Sequence, residues 1–179
     1  MTERVSSRDE ITQQFVAECF DYIDGALIWK ERPLHHFINA NHQRVFNKRQ
    51  GGTIAGTNVS GYIMVRFRFG KIGAHRLIFM LHHGFFPAVV DHINGNPLDN
   101  RIENLRAATH SQNMRNVTLS KANSSGQKGV AFHKSTGKWI AYVRVNGKMK
   151  HLGIFKTVGE AADARRSAEA TYYEGFSRG

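Results

Sequence analysis

Asp91 and His92 are adjacent, Asn104 follows twelve residues after His92, and Asn113 lies nine further on. These are the side chains whose types and spacing could do chemistry. A carboxylate and an amide oxygen are hard ligands suited to Mg²⁺ rather than zinc. A neutral histidine beside them is fit to take a proton from water. A metal and a base next to a phosphate-binding surface would hydrolyse a phosphodiester. An Asp-His pair is also what an ordinary turn contains, and Asn94-Gly95-Asn96-Pro97 reads as a loop. The grouping therefore depends on what surrounds it.

The surroundings predict a compact unit. Val89 to Ile93 reads as a strand, the Asn-Gly-Asn-Pro run as a turn, Leu105 to Thr109 as a second strand, and 110–116 as a short helix. Strand, loop, strand and helix over some 25 residues could bring Asp91, His92, Asn104 and Asn113 together. Upstream, Asp9 to Phe20 has helical apolar spacing and Ala26 to Trp29 reads as a strand after an Asp24-Gly25 turn. Residues 31–52 are polar and without clear periodicity, either a long loop or a DNA-contacting segment. Gly61 to Phe69 reads as a strand that turns at Gly70-Lys71, with Arg66 and Arg68 on one face. His75 to His83 reads as a helix stopped by Gly84.

Composition agrees with a polyanion as partner. The chain has 179 residues, 25 Lys and Arg, 14 Asp and Glu, and a formal charge of +11. Within 121–156 there are eight basic residues and no acid. A merely solvated face would mix in acids, whereas phosphate neutralisation would not need them. Forty-one per cent hydrophobic residues allow a packed core. The single cysteine, Cys19, excludes an internal disulfide framework and multi-cysteine zinc ribbons. No apolar run reaches the roughly 20 residues of a membrane span. The first fifteen residues are too polar for a signal peptide. The expected location is the cytoplasm, that of a host cell if the chain is phage-encoded.

After a polar stretch at 117–127, read as a linker, three strands are predicted near 129–133, 139–145 and 150–155. Asn146-Gly147 is a strong hairpin signal. Thr157-x-x-Glu160 opens a helix whose inner stripe reads as Ala161, Ala164, Ala168 and Tyr172. Tyr142 and Arg144 share one face of the middle strand, and a thin basic ribbon of this kind suits the major groove.

Asp91-His92, Asn104 and Asn113, with His75-Arg76-Leu77 and the run Asp99 to Arg106, resemble the HNH homing endonucleases encoded by phages. The resemblance covers about 61–116. It implies a ββα-metal nuclease module in which His92 activates water, Asp91 and Asn113 hold Mg²⁺ or Mn²⁺, and Asn104 pins the loop and orients His92. The third motif position is Asn113 rather than His, a variant that still supplies a ligand. His75 and His110 are candidates for the surroundings of the site, with packing roles as the alternative. Arg66, Arg68 and Arg106 are expected DNA contacts.

Residues 125–179, through Lys128-Gly129-Val130, Trp139, Tyr142, Arg144 and Leu152-Gly153-Ile154-Phe155, resemble the Apetala/ethylene-response-factor type DNA-binding domain. Lys128, His133, Tyr142, Arg144 and His151 fall where that family reaches DNA. Lys138, Lys148 and Lys150 are expected to add charge. Ala131, His133 and His151 depart from the plant pattern, so the plant target sequence does not carry over.

The expectation is an α+β chain. Residues 1–60 would be an N-terminal extension, 61–116 an HNH nuclease module, 117–127 a linker, and 128–179 a three-stranded antiparallel sheet packed on one helix. Its partner would be double-stranded DNA, its activity phosphodiester hydrolysis, and its state a monomer rather than a dimer. The rival readings are a DNA-binding regulator with a degenerate HNH unit, and a protein acting on RNA.

Overall fold

A computed structural model describes residues 7, 10–116, 119 and 123–173. The expected helix start at Asp9, the linker residues 117, 118 and 120–122, and residues 174–179 lie outside the described residues. The chain divides into two compact units, Met1–Ala107 and Ala108–Gly179. The sheets are antiparallel and are combined with helices in both units, an α+β architecture.

In the first unit, α1 (Gln13–Cys19) begins where the Thr12 side chain accepts from the Phe15 amide at 3.1 Å. It ends one residue earlier than its apolar spacing predicts. Phe20 is extended and opens β1 (Phe20–Ile23), paired with β2 (Ala26–Trp29). The reason is tertiary: Phe20 sits opposite Trp29, their rings 4.4 Å apart. Asp24 and Gly25 both have positive φ, which makes the tight turn. Residues 40–50, where the sequence left loop or DNA contact open, form α2 (Ala40–Gln50), capped by Asn39.

A three-stranded sheet follows, in the order β3 (Thr57–Val59), β4 (Tyr62–Phe67), β5 (Gly70–Gly73). The turn lies at Arg68-Phe69, because Phe67 pairs with Gly70 and Arg66 with Lys71. Arg68 is therefore in the turn and does not share a strand face with Arg66. Helix α3 (Ala74–His83) ends at left-handed Gly84. Strands β6 (Val89–His92) and β7 (Leu105–Ala108) pair with each other.

Phe15, Val16 and Leu27 share one core with Val65, Ile72, Leu77, Ile78 and Leu105. The stretch expected as an extension is thus continuous with the stretch expected as the nuclease module. Helix α1 and the β1–β2 hairpin each have an apolar face, and neither is large enough to bury that face alone.

The second unit starts before the expected linker. It contains α4 (His110–Asn116), opened by a reciprocal pair: Gln112 N donates to Thr109 Oγ1, and Thr109 N donates to Gln112 Oε1. Strands β8 (Val130–His133), β9 (Lys138–Val145) and β10 (Lys148–Phe155) pair in the order β10-β9-β8. Asn146 and Gly147, both at positive φ, turn the chain between β9 and β10. Helix α5 (Val158–Tyr172) opens on the Thr157–Glu160 capping box and packs on the sheet.

Its buried stripe is Ala161, Ala162, Arg165, Ala168 and Glu169. Tyr172, expected inside, lies out. Arg165 takes the inner place because it reaches the sheet: it donates to the Tyr142 carbonyl, and to Glu169 and the Tyr173 hydroxyl at 2.8 and 3.3 Å.

Candidate active site

Strand β6 delivers Val90, Asp91 and His92 in succession, all buried. Asp91 Oδ2 accepts from Arg106 Nε on β7 at 2.8 Å. Arg106, expected as a DNA contact, is therefore held at the Asp91 carboxylate.

His92 Nε2 lies 3.0 Å from Oδ1 of Asn100, and Asn100 is 3% exposed. An amide oxygen only accepts, so the proton sits on Nε2 and the lone pair on Nδ1. The residue that orients His92 is thus Asn100. Its sequence signal was its place in the Asp99-Asn100-Arg101 triplet just after the turn, where no role was expected.

Asn104 does pin the loop. Its side-chain amide donates to Asn94 Oδ1 at 3.0 Å and to the Asp99 carbonyl at 2.7 Å, and its Oδ1 accepts from the Asn94 amide at 2.9 Å. Its backbone carbonyl accepts from Ile93 N at 2.8 Å. Asp99 adds a two-point pair with Arg101, both at 2.8 Å, which holds its carboxyl well below the usual carboxylate range. The β1–β2 hairpin buttresses the same loop: Ile102 N donates to the Tyr22 hydroxyl at 3.0 Å. A Cβ at Gly25 would come within 2.9 Å of Arg101 N, so the turn needs glycine for this approach as well as for its φ.

His75 is half-buried beside His92, with ring centroids 5.2 Å apart and Tyr62 5.7 Å from His75. Its Nδ1 is buried without a hydrogen-bond partner. Burial, followed by His92 and Arg76, pulls its pKa down to about 4. Asn113 and exposed His110 lie on α4, in the second unit. Arg66 and Arg68 are exposed.

The second unit sorts the other expected contacts by face. Val143 and Val145 belong to the cluster with Ala168 of α5. Alternation puts Lys138, Tyr142 and Arg144 on the opposite face, with cross-strand partners His133, His151 and Met149. Lys148 and Lys150 pair with Val145 and Val143, so they fall on the α5 side. Lys150 indeed reaches the Tyr172 ring, 4.6 Å from Nζ to centroid. Lys128 precedes β8, and Trp139 packs in the core.

Among the described residues, three other metal-ligand types come together: Glu18, His35 and His36. Sequence reasoning missed them. Glu18 Oε2 lies 2.9 Å from His35 Nε2 and 2.8 Å from His36 Nε2. Arg32 Nε donates to His36 Nδ1 at 3.1 Å, so the His36 proton sits on Nε2 and points at Glu18. The cluster is thereby a satisfied hydrogen-bond network.

Burial, with Arg32 and His35 adding, lowers His36 to about 4. His36 and His75 thus stay neutral in the folded state while the unfolded chain takes up protons below its ordinary 6.5. Stability is expected to be level in these groups above pH 6.5 and to fall as pH drops toward 4, by roughly 3 kcal/mol for each of the two. Urea unfolding at neutral pH and at about pH 4.5 measures this; an unchanged midpoint would refute it.

Residues 73–115 match the HNH endonuclease family model. The chain carries an HNH endonuclease domain. The domain spans α3, β6, the pinned loop, β7 and most of α4, and so contains Asp91, His92, Asn100, Asn104 and Asn113. An uncharacterized HNH endonuclease of Acanthamoeba polyphaga mimivirus is 43% identical over 106 residues, 58% of this chain and 54% of that protein. Protein 3.8 of Escherichia phage T7 is 41% identical over 63 residues, 35% of this chain and 52% of that protein. The chain thus spans about half the length of these curated relatives. No solved structure matches it. The domain and the viral HNH endonuclease relative support a nuclease enzyme. No helix among the described residues is long and apolar enough to cross a membrane.

Asn100→Ala is expected to lower the HNH domain's cleavage rate about 10- to 100-fold, because the His92 ring loses its orienting partner. Single-turnover cleavage of plasmid DNA tests this; a rate equal to wild type would remove Asn100 from the site.

Proposed function

We propose that the chain is a metal-dependent endonuclease that hydrolyses phosphodiester bonds of double-stranded DNA. The observation that supports this most is the buried His92, whose Nε2 is committed to Asn100, next to a buried carboxylate at Asp91. His92 Nδ1 takes the proton from the attacking water. Asn100 holds the ring, and Asn104 holds the loop that carries Asn100.

Asp91 and Asn113 would hold the divalent ion, Mg²⁺ or Mn²⁺. The donor set fits: a carboxylate and an amide oxygen are hard ligands that leave room for water and phosphate oxygens. Arg106, paired with Asp91, compensates that carboxylate's buried charge. The ion, when bound, supplies positive charge to the phosphate and to the leaving 3′ oxygen.

The free face of the second unit's sheet, with His133, Lys138, Tyr142, Arg144 and His151, anchors the duplex. Its resemblance to the Apetala/ethylene-response-factor type domain supports this assignment. The protein acts as a monomer in the cytoplasm, that of a host cell if the chain is phage-encoded. Arg144→Ala then weakens DNA binding and leaves the chemistry at His92 intact.

The test is a supercoiled-plasmid assay with Mg²⁺ or EDTA, wild type beside His92→Ala. Conversion to nicked circle, lost in EDTA and in the variant, is the expected result. Salt-sensitive binding with no cleavage of any DNA would instead favour a regulator. Preference for RNA over duplex DNA would overturn the substrate.

A further inference from the structure

Between Glu31 and Asp91 the sequence has eight basic side chains and no acid. Helix α2 sits in this stretch. It is 11 residues long with no fully buried residue, and about 16 Å in length. Its inner stripe is Gln43, Phe46, Asn47 and Gln50, all half-buried. Its outer face carries Asn41, Arg44, Val45, Lys48 and Arg49, all exposed.

The helix is anchored with polar bonds. Asn47 Oδ1 accepts from Arg32 N at 3.0 Å, and Asn47 Nδ2 and Gln43 Nε2 donate to the Arg32 carbonyl at 3.0 and 2.9 Å. Phe46 adds ring contacts with Trp29 and Phe37, at 5.1 and 5.4 Å. Arg32 itself is 8% exposed and lies over five aromatic rings. The clamp fixes α2 to the core of the unit that holds His92.

A solvated helix of this kind ordinarily alternates charge signs along its face. This one has three cations and no anion, held in a fixed orientation on a rigid base. We propose that the outer face of α2 is a second DNA-docking surface, which grips duplex phosphates through Arg44, Lys48 and Arg49 and so sets the duplex against the nuclease site of its own unit. The inference rests on the endonuclease reading and adds to it a docking element outside both the HNH domain and the C-terminal sheet.

Duplex DNA is the occupant that the face fits. It has no Phe, Tyr or Trp platform on which single-stranded bases would stack, its one exposed ring being the His42 imidazole in the first turn. It has one apolar side chain, Val45, too little for insertion into a lipid surface. The helix diameter suits a groove about 12 Å wide.

The experiment uses the full chain carrying His92→Ala, so that cleavage does not interfere. Binding of a fluorescent mixed-sequence duplex is followed over a salt series. The triple change Arg44→Gln, Lys48→Gln, Arg49→Gln is expected to lessen the slope of log K against log salt by about 2 to 3. Affinity at about 0.15 M salt then falls roughly a hundredfold, from counterion release alone. The charge-conserving triple Arg44→Lys, Lys48→Arg, Arg49→Lys is expected to keep the parent slope.

With His92 intact, the Gln triple is expected to need a correspondingly higher DNA concentration for half-maximal cleavage. An unchanged slope in a parent that binds duplex overturns the α2 surface alone. Equal loss in the charge-conserving triple also overturns it, since charge would not be the cause. A parent that binds no duplex overturns the endonuclease reading itself.

Discussion

His92→Ala is expected to lower the rate of DNA cleavage by about 10² to 10⁴ while duplex affinity stays within a few-fold of wild type. The size follows from the role. A positioned base contributes this range, whereas the phosphate contacts that dominate affinity lie on other residues. His92 is 6% exposed and its Nε2 is occupied by Asn100, so alanine also leaves the Asn100 oxygen without that partner. His92→Gln, which retains bulk and an amide donor, separates the two effects: it should recover thermal stability and not cleavage. Single-turnover nicking of plasmid DNA and melting of each variant provide both readouts. Cleavage by His92→Ala at the wild-type rate would sink the assignment of the base. Comparison with Asn100→Ala gives an order, with the base costing more than the residue that holds it.

The second large effect concerns the folding of the C-terminal unit. Arg165→Met is expected to destabilise it by about 3 to 5 kcal/mol. Arg165 and Glu169 each keep only 9% of their side-chain surface and pair at 2.7 Å. Removing the cation strands a buried carboxylate and takes a donor from the Tyr142 carbonyl and the Tyr173 hydroxyl. The bond to Tyr142, with the Tyr173 hydroxyl's own bond to the Arg144 carbonyl, ties α5 to β9, so sheet and helix should loosen together. The double change Arg165→Met, Glu169→Leu is expected to recover much of the loss, because an apolar pair of similar volume replaces a buried ion pair at little net cost. Urea unfolding of wild type, single and double variants measures this. A single variant as stable as wild type would show that the network contributes nothing. A double variant no better than the single would place the loss in the bonds to Tyr142 and Tyr173.

How much of this was legible beforehand depends on the range of the forces involved. Strands β6 and β7, helix α4 and the three C-terminal strands follow from period-two and helical patterns closed by turn residues, and these are local. Asn146-Gly147 and the Thr157–Glu160 box are equally local, and their geometry is as their types require. Helix α2 was not legible, because its inner stripe holds one apolar residue, Phe46, among amides. Its anchor is a set of hydrogen bonds to the Arg32 backbone, 11 and 15 residues away. Arg68 shifted from strand to turn because pairing with β5 sets the register. Tyr172 gave way to Arg165 because a cation in reach of the sheet finds an acceptor there that a phenol about two turns further on does not.

The site divides along the same line. The types and spacing of Asp91, His92, Asn104 and Asn113 pointed by themselves to one chemistry: a hard-ligand set, a neutral base and an amide to fasten the loop. Composition pointed to a polyanion partner, since uncompensated Lys and Arg have a long-range consequence that needs no fold. Tertiary structure alone decided that Asn100 is a hydrogen-bond partner of His92, that Arg106 meets Asp91, and that Lys148 and Lys150 turn toward α5. It also decided that apolar residues between Ile11 and Ala55 share one core with Leu77, Val90 and Leu105. The reason is physical. Which donor meets which acceptor depends on strand register, loop path and burial, and those are settled only when separate segments pack against one another.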